Sequence, residues 1–257
     1  MTLTFPNVDL FFLIMLRFAG LIHQAPIFRS KVIPINMKVG IVFFMSLVFW
    51  AIIPVKEGVI PQTIMGFAFL GVMEFLIGFA IGFMANLLFA VVEAGGNIMG
   101  SQMAMSVSMM MDPSSGTQNN IMSRLFRWVV LVLFLTINGH HMVLSALQNS
   151  FYLMPVGGMW NWPVAMQYLL KSTSIIFYLG AQLAAPVALT IFVSDFCFGL
   201  ISKVAPQIRV FQMSFQIKPT LGAFVFFLIG VLFVESVVKI LSRLVSEIAL
   251  LMSLFVQ

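Results

Sequence analysis

Long apolar runs separated by short polar connections set the pattern of this chain. The runs extend from about Val8 to Phe28, Val39 to Ile53, Phe67 to Val92, Leu125 to Leu147, Ser172 to Ser194, and Pro219 toward Phe255. They are continuous and rich in Phe, Met, Leu and Gly, which reads as helix; a membrane β-barrel would instead show short alternating segments. The pattern predicts an all-α, polytopic membrane-type protein of about six hydrophobic segments, each span needing roughly 20 apolar residues. Pro54 ends the second run, and Lys56, Glu57 and Gly58 mark the turn before Pro61. The stretch from Glu93 to Asn120 is polar and glycine-rich. Between Gln148 and Lys171, the prolines 155 and 163 with Trp160 and Trp162 predict a loop with interfacial aromatics. A basic connection from Lys203 to Lys218 leads to Pro219, an allowed helix-start residue. From there one helix of about 37 residues, roughly 55 Å long, is expected.

Composition removes the soluble alternative. Apolar residues make up 61% of the chain and charged residues 8%, against about 25% charged in ordinary globular domains. The basic residues sort by connection. Arg29, Lys31, Lys38, Arg124, Arg127, Lys203, Arg209 and Lys218 flank the odd connections, whereas only Lys56 and Lys171 flank the even ones. This asymmetry puts the odd connections in the cytoplasm, although Lys239 and Arg243 count against it. The thirteen Lys and Arg against eight Asp and Glu therefore record membrane topology, and no nucleic-acid partner is expected. The first basic residue, Arg17, lies inside the apolar run, so a cleavable signal is not expected. Cys197 is the sole cysteine and reads as a small hydrophobe. One helical domain over residues 1–257, with no separate soluble domain, follows from the short connections.

Candidate chemistry is sparse. Arg17, Glu74 and Asp195 are ionisable groups inside spans, a costly placement that points to function or to pairing. They are too scattered for a proton relay, and pairing with one another or with a partner helix is the favoured reading. Gly78 and Gly82, like Gly96 and Gly100, stand four apart on one helical face, where small residues let backbones approach closely. Subunit contact and packing within the chain are equally compatible with that spacing. His140 and His141 are adjacent and so point about 100° apart on a helix, which disfavours a shared metal. No GxSxG, Walker A or HExxH pattern occurs. Neither an enzyme nor a cofactor is called for.

Between Gly96 and Asn120, Met103, Met105, Met109, Met110 and Met111 precede Asp112 and Pro113. Irregular backbone at membrane depth must be buried in protein or line water. This segment therefore reads as a cytoplasmic turn whose methionines pack on a neighbour, or as a deformable seal of soft side chains. Glu235, Lys239, Arg243 and Glu247 recur every four residues and predict a charged stripe on the last helix. Its far end is expected to leave lipid or dock on another protein.

Several segments, taken in order, resemble one family. Arg17-Phe-Ala-Gly, Ala25-Pro26-Ile27-Phe28 and the run from Ile33 to Gly40 are similar to the opening of the FliR/SctT family of type III export-gate subunits. The likeness continues through Glu93 to Gly96, Asp112-Pro113, Asn138-Gly139-His140, Ser150-Phe151, Pro155-Val156-Gly157, Lys203 to Gln207, Lys218 and Gly222. The resemblance implies a helical hairpin subunit assembled with FliP and FliQ, near FlhB and FlhA, in the flagellar basal body of the bacterial inner membrane. It implies passage of unfolded flagellar proteins, and placement of much of the assembly above the membrane plane. A plug loop is implied at about residues 103–120, with Met103, Met105, Met109, Met110, Met111, Asp112 and Pro113 as sealing candidates. Arg17, Glu74, Asp195, Lys203, Gln207 and Lys218 become candidate subunit or intramembrane polar contacts. The competing expectation is an autonomous six-span transporter or channel for small solutes, with Glu74 and Asp195 as its acids.

Overall fold

Apolar residues recurring every three or four positions turn one face of α1 (Val8–Gln24) inward. Leu10, Leu13, Ile14, Phe18, Leu21 and Ile22 of that face are buried. In the computed structural model, residues 8–26, 28, 33–52, 63–105, 120–158, 160–207 and 209–256 are described. After α1 come α2 (Ile35–Ile52), α3 (Ile64–Gln102), α4 (Ile121–Thr136), α5 (Gly139–Leu153) and α6 (Trp162–Val204). Then follow α7 (Val210–Leu228), α8 (Gly230–Ser242) and α9 (Leu244–Val256). Among the described residues α2, α3 and α6 are long and apolar enough to cross a membrane, or up to five spans if each of two broken helix pairs counts as one.

The chain divides into two compact units: residues 1–87, 137–173 and 242–257 form one, and residues 88–136 and 174–241 form the other. In the first, α1 packs on α2 and α9 packs on α5. Its interior combines the buried face of α1 with Ile77, Ala80, Ile81 and Met84 of α3, Leu147 and Phe151 of α5, and Ile248, Leu251 and Phe255 of α9. Phe18 meets Phe49 edge-on at 4.7 Å and stacks on Phe151 at 6.4 Å. In the second unit Phe126 of α4 clusters with Phe226 and Phe233, with centroids 5.2 and 4.5 Å away, and those two rings lie 5.3 Å from each other. Val91, Met99, Leu183, Val187 and Ile191 complete that interior.

Five expectations about helix ends are corrected. The third helix does not stop at Val92 but runs to Gln102. Glu93 is paired with Arg127 there, Gly95 and Gly96 fit against neighbouring backbone and Gly100 against the Asn120 side chain, so polarity does not break the helix. The fourth run is two helices, because Asn138 takes the left-handed conformation (φ 58°, ψ 31°) that Asn tolerates better than most residues. The loop expected between Gln148 and Lys171 shrinks to residues 154–161, with Pro163 in the first turn of α6 where no N–H is needed. The basic connection is likewise shorter, since α6 continues to Val204 and α7 starts at Val210, leaving Lys218 and Pro219 inside α7. The single long C-terminal helix is instead α7, α8 and α9, broken at Ile229 and Arg243. The stripe from Glu235 to Glu247 is therefore interrupted, and the segment beyond Glu235 docks on its own chain through Val237, Leu241, Ile248 and Phe255.

Candidate functional site

A buried guanidinium is costly unless paired and hydrogen-bonded, and in the first unit its surroundings are built around it. Arg17 and Glu74 are both fully buried. The Arg17 Nε donates to Glu74 Oε2 at 2.6 Å, its Nη1 to Ser150 Oγ at 3.2 Å, and its Nη2 to the Met154 carbonyl at 3.0 Å. The guanidinium carbon lies 4.3 Å from the Phe151 ring centroid, a cation–π contact. The second carboxylate oxygen of Glu74 accepts from Gly157 N–H at 3.2 Å, and Gly157 has φ 85°, which favours glycine. One ion pair thus ties α1 and α3 to the end of α5 and to the turn that follows it.

Gly78 and Gly82 sit in the same place. A Cβ on Gly78 would stand 1.8 Å from the Arg17 carbonyl oxygen, and one on Gly82 2.7 Å from that of Leu21. The two glycines bring the backbones of α1 and α3 together within the chain, and in doing so set Arg17 against Glu74. Gly20 meets the same crossing from the other side, where a Cβ would stand 2.1 Å from the Phe75 carbonyl oxygen.

In the second unit Gly96 packs on the Ser123 backbone and Gly100 on the Asn120 side chain, with Cβ positions 2.7 and 1.9 Å from them. Asn120 opens α4: its Oδ1 accepts from Met122 N–H at 3.2 Å, and its carbonyl accepts from Ser123 Oγ at 2.8 Å. Met103 is fully buried, against the position a Cβ would take on Gly222 of α7. Ala104 is left-handed (φ 57°), and Met105 N–H returns to the Gly100 carbonyl at 3.0 Å, ending α3. Met109, Met110, Met111, Asp112 and Pro113 lie outside the described residues.

Asp195 of α6 and Lys218 of α7 form an ion pair at 2.7 Å. Lys203, in the last turn of α6, and Gln207, in the connection that follows, are exposed. Spacing along the chain does not reveal the partners of Arg17 in the α5 region, the capping role of Asn120 or the hydrogen bond from the Tyr168 hydroxyl to Glu247. Each joins residues from different helices, or acts through a backbone group that sequence does not distinguish.

Residues 8–244 match the family described as "Bacterial export proteins, family 1". The chain is 32% identical over 215 residues to "Flagellar biosynthetic protein FliR" of Escherichia coli, covering 84% of this chain and 82% of that protein. It is 30% identical over 250 residues to the protein of the same name from Buchnera aphidicola subsp. Acyrthosiphon pisum, covering 95% and 96%. A more distant relative, at 24% over 214 residues and covering 82% and 81%, is "Surface presentation of antigens protein SpaR" of Shigella sonnei.

Proposed function

The chain belongs to the bacterial export proteins, family 1, and on that premise we propose that it is the FliR-type, non-catalytic subunit of a flagellar type III protein-export gate. The flagellar assignment is supported by the higher identity to flagellar relatives than to SpaR. It is a membrane protein and a member of an export complex. Its finer setting in this proposal is the inner membrane at the basal body, with FliP and FliQ as assembly partners, FlhB and FlhA nearby, and unfolded flagellar proteins as cargo.

The observation that carries this reading against an autonomous transporter is the state of the two acids such a transporter would use. Both Glu74 oxygens are engaged, one by Arg17 and one by Gly157, and Asp195 is held by Lys218. A coupling carboxylate must take up and release its ion, and these two are committed to holding helices together. The proposal also gives residues 103–120 the role of a plug. In this proposal Met109, Met110 and Met111 close the pore at rest and deform as a chain passes, with Met103, Met105, Asp112 and Pro113 as the other residues assigned to the plug.

Purification of the tagged chain from its native operon in mild detergent tests the assignment. Stoichiometric recovery of FliP-like and FliQ-like proteins is expected; recovery of a stable, monodisperse chain alone would overturn it. Deleting Met109 to Met111 in the assembled complex should raise its resting leak to small ions, and an unchanged leak refutes the plug.

A further inference from the structure

The turn between α6 and α7 combines two features that meet at one kind of surface. Along α6, Phe192, Phe196, Leu200 and Val204 recur every fourth residue and are 67, 64, 52 and 86% exposed. They form one apolar stripe on a single helical face, flanked by the exposed Val193 and Ile201 and, on α7, by Met213 and Ile217. Phe192 to Val204 spans about 18 Å at 1.5 Å per residue, close to the ~15 Å depth of one leaflet's hydrocarbon. At the end of the stripe stand Lys203 and Arg209, both exposed and without an ion-pair partner among the described residues. Between Asp195 and Glu235 the chain carries no carboxylate, so this tip is purely cationic.

Polar groups along the stripe are already satisfied. The Ser202 hydroxyl donates to the Gly199 carbonyl at 2.8 Å, and Asp195 is neutralised by Lys218 at 2.7 Å. Asp195 lies eight positions before Lys203, about 12 Å along the helix axis, where an unpaired charge would be costly in hydrocarbon.

We propose that the α6–α7 tip is seated in one leaflet of the membrane, its apolar stripe in the acyl chains and Lys203 and Arg209 on the phosphates of anionic phospholipid headgroups. This rests on the chain's being a membrane protein and not on its being an export-gate subunit. Basic side chains at an anionic surface contribute about fivefold each to the affinity, so the pair contributes about thirtyfold. Screening by salt removes most of that preference.

Two measurements test it. In the first, the full chain with its co-purifying partners is titrated in neutral detergent with phosphatidylglycerol or phosphatidylcholine, and retained lipid is counted by native mass spectrometry. Retention of phosphatidylglycerol over phosphatidylcholine by about thirtyfold is expected. It should be lost in Lys203→Ala/Arg209→Ala and kept in Lys203→Arg/Arg209→Lys. Equal retention of the two lipids, or an unchanged preference in the alanine variant, overturns the proposal. In the second, a photo-reactive residue at Val204 of the otherwise unaltered chain is activated in native membranes, so that misassembly of the alanine variant cannot decide the matter. A phospholipid adduct supports the proposal. A protein adduct overturns it in favour of an acidic partner segment.

Discussion

Replacing Arg17 by methionine removes a buried cation and leaves Glu74 in place. The carboxylate then keeps only the Gly157 N–H on one oxygen, and the Met154 carbonyl loses its donor. Breaking a buried ion pair from one side costs about 3–5 kcal/mol. Glu74→Leu should cost a similar amount by stranding the guanidinium. The double variant Arg17→Met/Glu74→Leu leaves no buried charge. It does orphan two backbone groups, the Met154 carbonyl and the Gly157 N–H, at about 1–3 kcal/mol each. Ser150 is unaffected, because its hydroxyl already donates to the Leu147 carbonyl at 2.6 Å. The double variant should therefore lose about 2–6 kcal/mol, less than the 6–10 kcal/mol sum of the singles. Unfolding of the purified protein by denaturing detergent, followed by tryptophan fluorescence, measures all three against the wild type. Single variants within about 1 kcal/mol of wild type, or a strictly additive double, would refute the reasoning, since a coupled buried pair gives neither.

Gly78→Ala should destabilise the protein by about 3 kcal/mol or more, because the new methyl would meet the Arg17 carbonyl at 1.8 Å and force the helices apart. Gly199→Ala, with nothing within 4 Å, should be neutral or stabilising by about 0.5–1 kcal/mol; thermal unfolding in detergent compares the two. Ala104→Gly should stabilise by about 1 kcal/mol, and Asn138→Ala should cost about the same, since each has a φ near 58°; the same assay reads both. Asp195→Lys should lower the yield of assembled complex in size-exclusion chromatography. The swap Asp195→Lys/Lys218→Asp should restore it, because it keeps opposite charges at the contact between α6 and α7.

The helices themselves were legible in the sequence, because an apolar run long enough to span lipid has few other structures open to it. Their ends were not. The run from Glu93 to Gln102 reads as polar loop until Arg127, thirty-four residues away, neutralises Glu93 and Asn120 settles against Gly100. Asn138 interrupts a run that is apolar on both sides, and Pro219 sits inside a helix that it was expected to begin. The charged residues were visible as anomalies, yet the pairing of Arg17 with Glu74 depends on two glycines letting two backbones touch. Spacing of four residues announces close approach without saying to which helix. Met103 illustrates the limit from the other side. Its soft side chain was compatible with a seal or, the favoured reading, with packing on a neighbouring helix, and its place against Gly222 depends on α7, more than a hundred residues on.

Helix length bears on what kind of assembly these parts serve. At 39 and 43 residues, α3 and α6 are about 58 and 64 Å long, roughly twice the ~30 Å hydrocarbon core. A tilt cannot absorb that excess: 30 Å is the projection of a 60 Å helix only when it leans about 60°, far outside the usual range. Between the polar Lys171 to Ser174 and the helix end, the stretch from Ile175 to Val204 is still about 45 Å long, and Ile175, Phe177 and Tyr178 are exposed near one end of it and Val204 at the other. In water such a surface would be an aggregation hazard. In a hetero-oligomer it is an interface that other helices complete. Glu74, Glu93 and Asp195, paired with Arg17, Arg127 and Lys218, hold the chain's own helices in register, and the bare apolar faces are left for lipid and neighbouring subunits, as an export-gate subunit requires and a self-contained transporter does not.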